Sequence, residues 1–402
     1  MIFKDVLKEI VLSQRELLKR LDLGVLRENK VEILDSFALL ITGIRRCGKS
    51  TFLYQMLNKQ KKGYYLNLED PRLDGFDLSD FTKIDEIMKE LYGKGCIYFF
   101  DEIQCVDKWE KFVRYLIDKK EKIVITGSNA SLLSLELGTK LTGRHLSIEM
   151  FPFSFSEYLF MRKEKASLES FSNYVIKGGF PEYLKKENSL ILNELFSDIL
   201  LKDIAVRFGI KNINILNKIA IHLINNVGKE FSYNSLKNVF DVKSVQSVID
   251  YINYFENSYL IFTVPSFSYS YKQQQVRPKK VYSIDTGFSA NNSVSFSKDY
   301  GRMLENVVFL NLRRKNKEIY FFKEKNECDF VIKEKNQIKQ CVQVCFVLNE
   351  ENKIREVNGL LEALKIFKLK EGLILTNDQM DEINIEDKKI LVKPVWKWLL
   401  EI

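Results

Sequence analysis

The run Gly43-Ile44-Arg45-Arg46-Cys47-Gly48-Lys49-Ser50 sits between an apolar strand-like stretch, residues 39–42, and a helical pattern, residues 51–57. It fits the pattern G-x-x-x-x-G-K-[ST] in the strand-to-helix context that gives the pattern meaning. The glycines let backbone wrap closely around phosphate oxygens, and amides at a helix start donate along the positive end of its dipole. Gly43, Arg45, Arg46, Cys47 and Gly48 would line such a cradle. Lys49 would reach the β- and γ-phosphates of ATP, Ser50 would offer a hydroxyl to Mg2+, and Thr51 would lie near the α-phosphate. A glycine-bounded turn that holds no nucleotide is the plain alternative.

A second motif matches the first. Residues 96–100 form an apolar strand that ends in Asp101-Glu102, so both carboxylates emerge at the carboxyl end of a sheet, where α/β proteins bind ligands. Asp101 is expected to hold Mg2+ through water, and Glu102 to orient or deprotonate an attacking water. The next strand, residues 123–126, runs into Gly127-Ser128-Asn129 and sets a polar side chain between the phosphate loop and the Asp101 strand. Asn129 or Ser128 would sense a γ-phosphate there, and either would equally cap the following helix. Arg144 is a candidate charge stabiliser at a subunit boundary, or an ordinary surface pair.

Composition narrows the chemistry. Two histidines, His145 and His222, are too few for Ser-His-Asp or Cys-His catalysis or for a histidine-rich metal site. The six cysteines form no CxxC pair and fall mostly in apolar runs, as buried thiols do. Carboxylates, lysines and arginines are left to do the work. The net charge of +8 permits nucleic-acid contact without requiring it. No apolar run approaches the roughly 20 residues of a membrane span, and charges interrupt the apolar positions of residues 1–14, so no membrane partner and a soluble cytoplasmic protein are expected.

A chain of 402 residues exceeds what one core usually supports. Residues 1–153 read as a leading helix, with Val6, Ile10, Leu17, Leu18 and Leu21 at helical spacing, followed by an α/β core whose five buried strands and helical crossovers imply a parallel sheet. Residues 154–212 read as a helical lid or connector. Residues 213–298 give helix, turn, two helices and two strands, the order of a winged helix, and residues 299–402 read as a further α/β unit.

Together GIRRCGKST, DEIQ followed by Trp109, TGSNASLLS, LTGR, FPFSFSEY, GGFPEY, LKDIAVRFGI and YSIDTG resemble the AAA-type archaeal and bacterial ATPases that carry a C-terminal domain of unknown function. The resemblance spans residues 30–380, with its more specific motifs in the first half. It implies a P-loop ATPase core of the ASCE class, a winged-helix segment and a nuclease-like C-terminal fold.

In the winged-helix reading, Val245, Val248, Ile249, Ile252 and Phe255 form the buried face of one helix, and Gln246, Asp250, Asn253 and Glu256 the exposed face. Two carboxylates there oppose contact with DNA phosphates. The segment 269–280, a wing with Lys272, Arg277, Lys279 and Lys280 beside Tyr269 and Tyr271, is the better candidate for DNA, and a solvated hairpin is the alternative. In the last unit, Glu305, Asp329 and Gln343 follow the order of a PD-(D/E)xK nuclease. Where that pattern needs Glu-x-Lys, however, the chain has Gln343-Val344-Cys345. Lys339 lies four residues away, about 13 Å at strand rise, and Lys365 is the lysine left from another element. A degenerate nuclease fold used for binding is therefore expected.

These features favour a Mg2+-dependent ATPase acting as a nucleotide-driven switch or motor, with DNA as a candidate partner. An ATP-regulated nuclease and a non-hydrolysing interaction module are the alternatives. Arg144 or Arg207 acting as a finger would require a homo-oligomer, because a finger completes a neighbour's site.

Overall fold

The computed structural model describes residues 2–29, 31–60, 62–127, 141, 143–292 and 299–401. They fall into two compact units, Met1–Met150 and Phe151–Ile402.

The first unit opens with α1 (Lys4–Arg20), then β1 (Ala38–Gly43), α2 (Lys49–Asn58), β2 (Gly63–Asn67), α3 (Leu78–Tyr92), β3 (Ile97–Asp101), α4 (Trp109–Asp118), β4 (Ile123–Gly127) and β5 (His145–Met150). All five strands run parallel in the order β2-β3-β4-β1-β5. β4 thus lies between β1, which feeds the glycine loop, and β3, which ends in the two carboxylates. The central strands β1, β3 and β4 are apolar almost throughout, as expected of a sheet covered on both faces, whereas β5 at the edge is half polar. One side is filled by Tyr64, Tyr98, Phe81, Phe100 and Phe112, with the Phe81 and Phe112 rings stacked at 4.5 Å. The leading helix buries a different stripe from the one its spacing suggested. Leu7, Ile10, Val11 and Gln14 face inward, whereas Val6, Leu17 and Leu21 are exposed. Gln14 explains the choice of face, since its side chain bonds Asn67 N (2.8 Å), Asn67 O (3.1 Å) and Asp70 Oδ2 (3.0 Å), closing open groups at the end of β2.

The second unit begins with α5 (Phe155–Arg162), α6 (Leu168–Lys177), α7 (Pro181–Lys186) and α8 (Leu190–Asp198), the last continuing as a π-helical stretch, Ile199–Val206. Next come α9 (Ile213–Asn225), β6 (Glu230–Phe231), α10 (Tyr233–Val239), α11 (Val245–Asn257), β7 (Ile261–Pro265), α12 (Tyr271–Val276), β8 (Lys279–Ser283) and α13 (Thr286–Asn291). The three strands pair antiparallel in the order β6-β8-β7. The segment expected to be a wing therefore carries a short helix, α12, between its strands. Glu256, expected on the open face of α11, instead accepts from Thr263 N (3.0 Å) and Thr263 Oγ1 (2.8 Å), because β7 passes close enough to take its carboxylate.

The chain continues through α14 (Tyr300–Lys315), β9 (Glu318–Lys323), β10 (Glu327–Glu334), β11 (Gln337–Val344), α15 (Lys353–Ile366), β12 (Glu371–Thr376), β13 (Asp381–Ile385), β14 (Lys388–Pro394) and α16 (Val395–Trp398). Its six strands form a mixed sheet, β13-β14-β12-β11-β10-β9, parallel only across β11-β12-β14. β11 stops at Val344, and Phe346 and Val347 beyond it are exposed.

Three motifs of the second unit meet at one buried carboxyl. Asp285 accepts Gly179 N at 2.7 Å and Gly287 N at 2.8 Å, and Gly179 O accepts Phe153 N at 2.7 Å. FPFS, GGF and IDTG are thereby tied together, with Arg314 Nη2 donating to Pro152 O at 2.6 Å. Burial pushes the Asp285 carboxyl up to about 7, against the two amides and Arg314, which pull it down. A carboxyl raised in the folded state holds its proton there and releases it on unfolding. Its contribution is therefore complete below about pH 4 and lost as pH rises through 7. Chemical denaturation from pH 5 to 8 should show wild type losing stability, by up to about 1.4 kcal/mol per pH unit, relative to Asp285→Asn. Parallel pH profiles for the two proteins would contradict this.

Candidate nucleotide site

The site is assembled where β1, β3 and β4 end side by side. β1 closes at Gly43 (φ +147°), where a side chain would collide with the Met150 carbonyl, so only glycine lets the loop leave beside β5. The loop passes through Arg46, at φ +61°, and turns into α2 at Gly48. Cys47 is buried beneath it, and burial pushes its thiol up, so it serves as packing. Lys49 is 4% exposed, its ammonium donating to the loop carbonyls of Gly43 (3.2 Å) and Ile44 (3.1 Å). An ammonium has three donors, so this pose holds it over the loop as a mobile positive charge.

Ser50, in the first turn of α2, donates to Asp101 Oδ1 at 3.1 Å. Asp101 is 1% exposed, and burial pushes its carboxyl up while hydrogen bonds from Thr126 and Ser50 pull it down. Thr126, near the end of β4, donates to Asp101 Oδ1 and accepts Glu102 N at 2.9 Å, fixing both residues at once. Tyr54, one turn beyond Ser50, donates to Asp101 Oδ2 at 3.3 Å and lies 2.9 Å from the Tyr65 hydroxyl. Glu102 sits in the left-handed region, φ +51° and ψ +50°, a conformation that turns its carboxylate off the strand line. Gln104 donates to that carboxylate.

The structure brings Lys49, Ser50, Asp101 and Glu102 together at one end of the sheet. Asn129 and Ser128 lie outside the described residues. Arg144 pairs with Asp118 at 2.8 Å on the surface, and the Arg207 guanidinium lies 5.7 Å from the Phe208 ring centroid. Four further side chains contribute: Tyr54 and Tyr65, which carry no motif, and Thr126 and Gln104, which stand in TGSNASLLS and DEIQ. A fifth element is the segment before β1. Gln55 on α2 donates to Leu23 O (2.8 Å) and Val25 O (2.7 Å) and accepts Arg27 N (3.2 Å), and Arg27 Nη1 donates to Cys47 O at 3.0 Å. A hydroxyl 3.1 Å from a buried carboxylate, beside an ammonium and a run of loop amides, is a donor set that fits a nucleotide carrying Mg2+.

Elsewhere the expected residues are placed as follows. Three of the four charges in the segment 269–280 are engaged within the molecule: Arg277 with Glu324 (3.7 Å), Lys279 with the Tyr233 hydroxyl (2.9 Å), and Lys280 with buried carboxylates. Lys280 is therefore not part of an open basic surface. Lys339 bonds Gln337 (3.1 Å) and Lys365 pairs with Glu386 (3.0 Å), both on the exterior. Among the described residues, no helix is long and apolar enough to cross a membrane.

A parallel sheet with a glycine loop after its first strand and paired carboxylates after its third defines a P-loop NTPase fold, and residues 35–159 match the model of an AAA domain. The chain belongs to the family of uncharacterized protein MJ1544 of Methanocaldococcus jannaschii, which is 38% identical over 100% of this chain and 96% of its own. An uncharacterized protein of Haemophilus influenzae is 31% identical over 93% of this chain and 98% of its own. Residues 168–296 match a domain of unknown function, DUF8612. Among solved structures, the Aeropyrum pernix Orc1 protein in complex with DNA aligns with 64% of this chain and 85% of its own at 12% identity. Its TM-score is 0.29, too slight a likeness to bear on function.

Proposed function

We propose that the first unit binds ATP with Mg2+ and hydrolyses it, and that the nucleotide state acts as a switch on the second unit. The observation that carries this reading is the Ser50–Asp101 contact of 3.1 Å at the carboxyl end of the sheet, with Lys49 and Glu102 on either side. In this reading Lys49 exchanges its two loop carbonyls for phosphate oxygens, and the amides from Arg45 to Ser50 hold the β-phosphate. Ser50 and Asp101 hold Mg2+, and the Tyr54–Tyr65 pair keeps the second oxygen of Asp101 directed. Bound Mg2+ would supply neutralisation of the charge that develops on the phosphate oxygens. Glu102 then aligns a water and takes its proton, for which Gln104 must give way. Geometry supports the role, because Thr126 pins the Glu102 backbone and leaves only the side chain to move.

The second unit is read as a receiver built from the helical segment 154–212, a winged-helix segment 213–298 and the α/β segment 299–402. Its helix–strand–helix–helix–strand–strand order over α9 to β8 supports the winged-helix reading. DNA is less well supported as a partner, since three of the four charges in the wing are already engaged.

Glu102→Gln tests the hydrolytic step. Nucleotide affinity should stay within a few-fold of wild type while the single-turnover rate drops by roughly 100-fold or more, the scale of a lost general base. Unchanged turnover would remove Glu102 from the chemistry.

A further inference from the structure

The order Glu305, Asp329, Gln343 along the chain is similar to that of nucleases whose carboxylates hold a divalent cation, and the side chains gathered there do not fit one. Glu305 comes from α14, Asp329 from β10 and Gln343 from β11, and the three do converge. Between the carboxylates, however, lies an ammonium. Lys280 on β8 is 2% exposed, with Nζ 2.9 Å from Asp329 Oδ1, 2.7 Å from Glu327 Oε1 and 3.3 Å from Glu305 Oε1. Three donors meet three carboxylates, so the ammonium is saturated.

Other groups of the cluster are tied down as well. Asp329 Oδ2 accepts Val344 N at 3.0 Å, and Glu305 Oε1 also accepts the Tyr282 hydroxyl at 2.7 Å. Gln343 turns its oxygen to Asp329 N (3.2 Å) and its nitrogen to Glu356 Oε2 (2.6 Å), so neither end faces the carboxylates as a ligand. Gly228 closes the remaining side, because a methyl group there would meet Glu305 Oε2 at 2.7 Å. Among the described residues, no group of three or more His, Cys, Asp or Glu could hold a metal ion. Mg2+ needs six oxygens at about 2.1 Å and retains waters, for which this closed arrangement has no room.

We infer that Lys280 is the resident cation of this pocket: its ammonium stands where a divalent ion would, and residues 299–402 form a metal-free module that cleaves no phosphodiester. The ion pairs also carry mechanical meaning. Lys280 belongs to the β6-β8-β7 sheet, whereas Glu305, Glu327 and Asp329 belong to the α/β segment. One side chain therefore fastens these two parts of the second unit to each other. Separating them would strand the Glu305 and Asp329 carboxylates, 13% and 9% exposed, without this cation, a cost that keeps the joint closed.

The consequence is testable with Mn2+ as the probe, on the full chain without nucleotide. An Asp101→Asn background removes the proposed Mg2+ ligand of the first unit, so that the outcome does not depend on the ATP reading. Counting bound Mn2+ by electron paramagnetic resonance, the background protein should show no ion that depends on Asp329. Adding Lys280→Ala should create a site for one Mn2+ with an apparent affinity at least tenfold higher, and Asp329→Asn should abolish it. Should Lys280→Ala fail to fold, Lys280→Gln, neutral and close in length, takes its place. A Mn2+ bound when Lys280 is intact and lost with Asp329→Asn would overturn the inference. A folded Lys280 variant that gains no ion would overturn it equally.

Discussion

Lys49→Ala should lower Mg2+-dependent ATP hydrolysis by at least about 100-fold, equivalent to roughly 2.7 kcal/mol of lost transition-state stabilisation. The size of the effect follows from where the ammonium sits. Buried at 4% exposure and, among the described residues, hydrogen-bonded to the Gly43 and Ile44 carbonyls, it is a charge kept near the loop by neutral partners. Phosphate oxygens are far better acceptors than those carbonyls, so the exchange is downhill and gains as negative charge builds. Removing the side chain also leaves two carbonyls short of a donor, at a cost of about 1–2 kcal/mol, so the variant's melting must be measured beside its rate. A folded Lys49→Ala protein that hydrolyses ATP at the wild-type rate would exclude this lysine from catalysis.

The second large effect concerns the second unit. Gly178→Ala should destabilise it by about 2–5 kcal/mol, adding a left-handed backbone penalty to overpacking. At φ +73° a methyl group would meet the Asp285 carboxyl carbon at 2.6 Å and the Gly287 amide at 2.8 Å. Both belong to the joint that ties GGF to IDTG, so neither neighbour yields without breaking a hydrogen bond. Gly209 has a similar φ of +63° and nothing within 4 Å of the same methyl position, so Gly209→Ala isolates the backbone part. Urea denaturation should show Gly178→Ala losing at least twice as much as Gly209→Ala. Equal losses would mean that the Asp285 joint tolerates expansion.

How much of this was legible in the chain depends on whether a feature is contiguous. The phosphate loop and Asp101-Glu102 are read directly, because strand, loop and helix follow one another and the backbone does most of the positioning. The side chains that aim those residues come from separate parts of the chain, and neither Tyr54 and Tyr65, outside any motif, nor Thr126 and Gln104, inside TGSNASLLS and DEIQ, declare that role in the sequence. Thr126 looks like any threonine ending a buried strand until β4 is seen to lie between β1 and β3. Tyr54 is an amphipathic-helix position until β2 brings Tyr65 beside it.

Lys280 shows the limit most clearly. In a basic run beside tyrosines it reads as part of a wing that contacts DNA, or else of a solvated hairpin, and its partners lie 25, 47 and 49 residues further on, at Glu305, Glu327 and Asp329. Only the packing that brings Lys280 of β8 against α14 and β10 decides its burial. Glu256 was misplaced for the same reason, since a helical wheel does not show that β7 returns to collect its carboxylate. The strands β13 and β14 are hard to read from the sequence because their alternation is weak and charged, DEINI and KKILVKP, and charge suits β13 at the edge of the sheet.

The measurement closest to the central proposal is phosphate release from ATP by the purified full chain, with Mg2+ and with the metal chelated. The account predicts steady release that requires Mg2+ and collapses in both Lys49→Ala and Asp101→Asn. Release that persists in either folded variant, or that ignores chelation, would contradict it.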